Sequence, residues 1–304
     1  MVSELSILIP VYNQNVLSLV AGLLAQCREI TSRFEIIIYD DASQDKFRKL
    51  HRFLNEEEEI RYVELRENIG RAAIRNRLAQ DANFNYLLFL DNDSALPDAD
   101  FVKRYWESNK NGETDVIIGG TIYENSYSSD AYALRWKYGR EREEKKASER
   151  SKNPYQSLTL NNMLIKKAVY LKHLLSTEIN GYGHEDTKFG WELEADGAKV
   201  KHIDNPVIHL GLEVATDFLK KTRQAISNLY SLYEANPKIP KSKLIRSYEL
   251  LKRTKMRHAF VYCFQPITGM ILDNLRSPEP DLKYFDLYKL FLFTRQALNI
   301  KNDA

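Results

Sequence analysis

Residues 86–93 read Tyr-Leu-Leu-Phe-Leu-Asp-Asn-Asp, an unbroken apolar run that ends on two carboxylates flanking an amide. A short run without polar alternation suits a strand buried on both faces of a parallel sheet, not one with a wet face. Three runs of the same kind come before it: Leu5 to Pro10, Phe34 to Tyr39 and Ile60 to Leu65. Helical patterns separate them, at about Val16 to Ile30, Asp45 to Glu57 and Arg71 to Asn83. The order βαβαβαβ predicts a layered α/β fold with right-handed crossovers. Ligands of such sheets gather outside the carboxyl ends of the strands. Those ends are polar here: Tyr12-Asn13, Asp40-Asp41 and Asp91-Asn92-Asp93.

Downstream the pattern loosens. Asp98 can cap a helix to about Asn109, and Asp115 to Gly119 reads as a strand. The charged stretch from Tyr138 to Asn153, nearly free of apolar residues, reads as a mobile loop or an exposed helix. Leu158 to Ile165, Lys199 to Ile203 and Pro206 to Gly211 restore order, and beyond Val214 the chain reads as largely helical. The expected division is therefore a domain over residues 1–213, in two parts of about 1–97 and about 98–213. A helical region over residues 214–304 follows.

The chain has 304 residues, of which 43% are hydrophobic, so it can bury a core without staples. Cys27 and Cys263 are far apart and neither sits in a CxxC pair, so no disulfide scaffold or structural zinc is expected. No stretch reaches transmembrane length, and Met1-Val2-Ser3-Glu4 carries no basic leader. A cytoplasmic location is expected. From Ala215 onward the charge balance is about +8 against +2 for the whole chain, so the earlier part is acidic.

Five constellations carry chemistry. Asp91 and Asp93 lie two residues apart just past a strand, where both can face one ligand, and hard cations favour such oxygens. A plain strand-to-helix turn is the alternative, since Asp and Asn are common there. Asp40 and Asp41 end a strand and could accept hydrogen bonds from a base or ribose, although turn chemistry explains them singly. Gly70 allows close backbone approach, and Arg71 and Arg75 share one helical face near a helix start, which suits a diphosphate or a solvated basic face. In Gly181-Tyr-Gly-His-Glu-Asp186, Glu185 and Asp186 are either ordinary N-terminal acids of a helix or a general base. His184 reads as a satisfied loop histidine. His209, after an apolar pair, matters only if the fold returns it to the acids.

Taken in order, these segments resemble the family 2 inverting glycosyltransferases of GT-A fold. The matching pieces are Ser6 to Asn13, Ile36 to Asp45, Glu67 to Arg71 with Arg75-Asn76, Phe89 to Asp93, Tyr182 to Asp186 and Asn205 to Leu210. The resemblance covers residues 3 to 212 and implies a Rossmann-like α/β/α sandwich with a mostly parallel central sheet, with nucleotide-sugar binding in about residues 1–97 and the acceptor and catalytic part in about 98–213. It implies a nucleotide pocket of Pro10, Tyr12 and Asp40, with Tyr12 packed on the base. Arg71 and Arg75 would meet the nucleotide or its phosphates, and Asp91 and Asn92 the ribose side. Asp93 and His209 would hold Mn²⁺ or Mg²⁺, and Asp186, with Glu185 as the second choice, would be the catalytic base. The donor it implies is a nucleotide sugar, a UDP-sugar first, with thymidine and guanosine donors open. The acceptor would be a glycan or lipid-linked hydroxyl in surface polysaccharide synthesis, and no nucleic acid is expected. Where the family has a common glycine after the paired aspartates, this chain has Ala42.

The C-terminal region carries no motif. Lys238 to Arg257 can form a basic amphipathic helix that either packs on the rest of the protein or lies on an anionic membrane surface. The apolar segment Phe260 to Leu272 and the aromatics Tyr284 to Phe293 are candidates for covering it or for building an oligomer interface. Two other functions were weighed: a non-catalytic nucleotide-sugar-binding protein, and a sugar nucleotidyltransferase. The latter wants a glycine-rich basic loop after the first strand, where Val11-Tyr-Asn-Gln-Asn15 stands instead.

Overall fold

A computed structural model describes residues 4–177, 182–236 and 242–300. In chain order the first elements are β1 (Leu5–Val11), α1 (Leu17–Ile30), β2 (Phe34–Asp40), α2 (Asp45–His51), β3 (Ile60–Glu64), α3 (Arg71–Asp81), β4 (Tyr86–Leu90) and β5 (Ser94–Ala95). Next come α4 (Phe101–Ser108), β6 (Val116–Ile118), β7 (Thr121–Tyr123), α5 (Ala133–Tyr138), α6 (Ala147–Arg150), β8 (Asn162–Lys166), α7 (Lys167–Lys172), α8 (Glu185–Ala195), β9 (Val200–His202) and β10 (Val207–His209). The remainder is helical: α9 (Ala215–Ala235), α10 (Lys243–Arg253), α11 (Arg257–Phe264), α12 (Thr268–Leu275) and α13 (Leu282–Ala297).

The chain divides into two compact units. One comprises Met1–Glu124, Glu143–Thr177 and Glu185–Gly211; the other comprises Asn125–Arg142, Glu178–His184 and Leu212–Ala304. The sequence reading had kept everything to residue 213 together. Residues 125–142 instead group with the C-terminal helices, because Leu134 of α5 joins the helical core around Phe218, Phe285 and Phe291.

The first unit is built on a seven-stranded sheet in the order β3-β2-β1-β4-β8-β6-β9. β1 pairs in parallel with β2 and β4, β2 with β3, and β6 with β9, while β8 runs against β4 and β6. The apolar runs lie where their patterning puts them. Ile7 and Ile9 face one core with α1, and Leu8 faces another with α3, all three fully buried. Alternate residues of one strand thus enter both layers, which is why the run shows no polar face. A second sheet, β5-β10-β7, is small and sets β10 antiparallel to β5 and parallel to β7.

The stretch from Tyr138 to Asn153 is partly helical and largely exposed, as its charge suggested, but it carries one buried charge. It forms a π-helical turn at Gly139–Glu143 followed by α6, and Arg150 is buried. The Arg150 guanidinium donates to the carbonyls of Lys145, Ile118, Gly119 and Ile203, at 2.8–3.1 Å, and meets His202 Nδ1 at 2.8 Å. Four carbonyl dipoles replace its hydration, so a residue of solvated type becomes a core pin at the ends of β6 and β9.

Candidate active site

The carboxyl edge of the large sheet gathers the polar strand ends. At the end of β1, Asn13 adopts left-handed φ of 51°; its Oδ1 accepts Gln44 N at 2.8 Å, and its N–H donates to Ser43 Oγ at 2.8 Å. These bonds clasp the β1 and β2 ends together. Pro10 is half-buried in β1 opposite Tyr39, and Tyr12, just past it, is 53% exposed. A ring standing open at a strand end is available for stacking.

Asp40 is turned inward. It is fully buried, its Oδ1 accepts Ser43 N at 2.6 Å and its Oδ2 the Tyr62 hydroxyl at 3.2 Å. Asp41 is also inward: its oxygens accept Ile69 N at 2.7 Å and Gly70 N at 3.1 Å. This aspartate pair ties the β2 end to the loop entering α3 and is consumed in holding it. Ala42 between them and Ser43 sits at φ 59°, so the turn keeps the left-handed conformation that a glycine would take without cost.

The two arginines of α3 part company. Arg75 is 5% exposed; its guanidinium is ion-paired with Asp91 Oδ1 and donates to Arg71 O at 3.1 Å. In this arrangement its guanidinium holds the Asp91 carboxylate. Arg71, one turn nearer the helix start, keeps 47% of its side chain exposed and lies 4.0 Å from Asp91 Oδ2. Asn92 is half-buried in the turn between β4 and β5.

Asp93 is brought to His209, 116 positions later by numbering, through the small sheet. His209 pairs with Ser94 in the β10–β5 register, and Leu210 N donates to Asp93 O at 2.8 Å. His209 Nδ1 stands 3.4 Å from Asp93 Oδ1, and Tyr123 of β7 packs edge-on to the imidazole at 5.4 Å. Gly211 completes the approach: a Cβ there would fall 2.1 Å from Asp93 Oδ2, so only glycine fits. Sequence reasoning missed Gly211, although its place two residues after His209 was the available signal. Burial raises the Asp93 carboxyl, but the His209 contact and the charges of His209 and Arg71 outweigh it, holding it below the usual carboxylate range.

Glu185 and Asp186 begin α8; Asn180 and Gly181 of the same motif lie outside the described residues. Asp186 Oδ1 accepts Thr187 N at 2.8 Å. Burial first, then the Glu185 charge, push the Asp186 carboxyl up to about 6, against the opposing pull of Thr187 and Arg71. In the other unit, His184 is pushed down to about 4 by burial and by Lys289, so it is neutral at physiological pH, as a loop histidine was expected to be.

Arg71 thus ties the site together. It lies beside Asp91, and its charge acts on both Asp93 and Asp186. Arg71, the β4 end and the α8 start belong to one unit. The same edge carries buried oxygens without a hydrogen-bond partner among the described residues, Ser94 Oγ and Asn161 Oδ1, while Asp93 Oδ1 has the His209 imidazole at 3.4 Å. Native interiors rarely leave such atoms unsatisfied unless an ion or water meets them. No group of three His, Cys, Asp or Glu side chains able to hold a metal occurs among the described residues. Asp93 and His209 form a two-residue donor set, which fits Mn²⁺ or Mg²⁺ bound through few protein groups with substrate phosphates completing the shell.

A family model described as Glycosyl transferase family 2 matches residues 6–171, more than half of the chain. The chain belongs to glycosyl transferase family 2. Uncharacterized glycosyltransferases of Rickettsia felis and Rickettsia conorii are 34% and 33% identical to it over 93 residues, 30% of this chain and 15% of each relative. The chain therefore spans a small part of those curated relatives. Among solved structures, the mannosyltransferase PcManGT from Pyrobaculum calidifontis, in complex with GDP-Man and Mn²⁺, matches with TM-score 0.60 at 11% identity, over 98% of this chain and 88% of that one. S. aureus TarS 1-349 matches with TM-score 0.53 at 15% identity, over 97% and 92%. The same protein in complex with UDP matches with TM-score 0.52 at 14% identity, over 97% and 91%. These likenesses are of fold, and the GT-A architecture expected from the motifs is the one found.

Proposed function

We propose that this family 2 glycosyltransferase moves a sugar from a nucleoside diphosphate sugar to an acceptor hydroxyl with inversion at the anomeric carbon. The observation that carries the reading is the gathering of Asp91, Asp93 and His209 at the carboxyl edge of the sheet, with Arg71 4.0 Å from Asp91. Tyr12 stacks on the nucleobase, and Asp91, held by Arg75, faces the ribose with Asn92 beside it. The exposed Arg71 guanidinium meets the diphosphate, where a planar cation binds anionic oxygens well. Asp93 and His209 are the residues that would hold Mn²⁺ or Mg²⁺, which when bound supplies positive charge to the departing diphosphate.

Asp186 acts as the general base. Its carboxylate, ionised above about pH 6, accepts the proton of the acceptor hydroxyl. The acceptor oxygen bonds to the anomeric carbon as the bond from that carbon to the diphosphate oxygen breaks, and the electron pair leaves with the diphosphate. One displacement inverts the centre, so a single base suffices and Glu185 serves to raise the Asp186 carboxyl. A UDP-sugar is the first donor to test and a GDP-sugar the second, in keeping with the ligands of the two structural neighbours. A glycan or lipid-linked acceptor in surface polysaccharide synthesis, at a cytoplasmic site, completes the reading.

The test is a thermal-shift series of UDP- and GDP-sugars with and without Mn²⁺, followed by donor hydrolysis. A ligand of the folded state raises its apparent stability by mass action. A donor should raise Tm more with Mn²⁺ than without it, and Asp93→Asn should lose that increment and about a hundredfold in hydrolysis. Equal metal response and equal hydrolysis in the two proteins would remove the metal assignment.

A further inference from the structure

The basic amphipathic helix expected over Lys238 to Arg257 packs part of its apolar face and leaves Leu250 51% exposed. In α10 the residues Ile245 and Tyr248 are buried, with Tyr248 packed on Phe293 of α13 at 4.9 Å. Lys238 to Lys241 lie outside the described residues. Further open apolar surface lies on the elements that follow.

From α11 through the 3-10 turn Gln265–Ile267 into α12 the chain is continuously helical. Met256, Ala259, Tyr262, Cys263, Pro266, Ile267 and Met270 follow one another along it at steps of one or three residues, a spacing that keeps them toward one side. All seven are exposed, Tyr262 to 83%, Met270 to 58%, Met256 to 53% and Ile267 to 43%. The opposite side, Val261, Phe264, Ile271 and Leu275, is buried in the helical core. The segment therefore has two apolar stripes, and only one faces the protein. A singly exposed Leu or Met is ordinary, but a stripe three turns long is not.

Charge selects what can cover it. Residues 250–272 contain no Asp or Glu, while Lys252, Arg253, Lys255 and Arg257 stand at the head of the stripe. Lys252, Arg253 and Lys255 are exposed. Glu249, just before the run, is turned to the Tyr233 hydroxyl, and Asp273 closes the stripe one turn after Met270. A second copy would set these cations against their own kind. A bilayer bearing anionic lipids offers both what the cations need and an apolar layer for Tyr262, Ile267 and Met270.

We propose that the α10–α11 turn and the outer stripe of α11–α12 form a docking surface for an anionic membrane. The proposal goes beyond the transfer reaction and is read without any sugar donor.

The experiment is co-sedimentation of the full chain with vesicles of phosphatidylcholine alone, and with phosphatidylglycerol added. The wild type should bind the anionic vesicles at low salt, release as ionic strength rises, and leave the neutral vesicles alone. The triple variant Lys252→Gln, Arg253→Gln, Lys255→Gln should bind about a hundredfold more weakly, at about fivefold per charge. Tyr262→Ser with Met270→Ser should weaken binding about tenfold with every cation in place. All these positions are on the surface, so circular dichroism should be unchanged. Absence of binding to anionic vesicles, equal binding to neutral ones, or variants that bind like wild type would each overturn the proposal. So would a concentration-dependent dimer in sedimentation velocity that Tyr262→Ser with Met270→Ser abolishes, since the stripe would then belong to a second copy.

Discussion

Asp186→Asn should make the protein more stable and inactive at the same time. The carboxyl is raised from its ordinary value of 3.8 to about 6 by burial and by Glu185. A raised carboxyl means that the folded state holds its proton more tightly than the unfolded one. The cost of carrying the ionised group is absent below about pH 3.8, grows between 3.8 and 6, and is complete above 6. At 1.36 kcal/mol per pH unit that cost is about 3 kcal/mol, and the side chain's partial exposure reduces it to about 1–2 kcal/mol. Asparagine keeps an oxygen for Thr187 N, bonded at 2.8 Å, so little else is lost. Urea denaturation at pH 7 should show the variant more stable by about 1–2 kcal/mol, and the gap should close near pH 4. Transfer should fall by two to four orders of magnitude, as expected for loss of a general base, and wild-type activity should rise through pH 6. A variant less stable than wild type at pH 7, or a stability gap that ignores pH, would refute the account of a strained ionised base.

Two further outcomes follow from the same geometry. Arg75→Met leaves the Asp91 carboxylate without its buried partner; breaking such a pair costs about 3 kcal/mol, and urea denaturation should show that loss together with a rise in donor KM. Ala42→Gly relieves a residue at φ 59° and should stabilise by about 0.5–1 kcal/mol, with no change in donor binding; a loss of stability would show that the turn is not strained.

Much of the fold was legible because the parallel sheet writes itself into sequence. Its strands are short, mostly apolar and closed by polar residues, as at Leu5 to Val11 and Tyr86 to Leu90. Arg150 was misread for the opposite reason: its neighbours in sequence are charged, and the carbonyls that bury it come from β6, from Ile203 just past β9 and from Lys145 before its own helix. The contacts of Asp40 and Arg75 are hidden from a linear reading in the same way. A strand-end aspartate and a helix-start arginine look ligand-facing in one dimension, while Tyr62, Ser43 and Asp91 engage them in three.

By itself the sequence determined the layered α/β architecture, the edge of the sheet where polar groups collect, and the identity of the acids there. Period and strand ends are local properties, set by which residues follow which. Only the tertiary structure decided which of those groups stay open. Pairing of β10 with β5 set His209 beside Asp93, burial turned Arg75 inward while Arg71 remained out, and packing of part of α10 left the longer unpartnered apolar stripe on α11–α12. Those outcomes depend on contacts between residues far apart in the chain, where the energy of burying a charge or an apolar face is settled by neighbours that a linear reading cannot see.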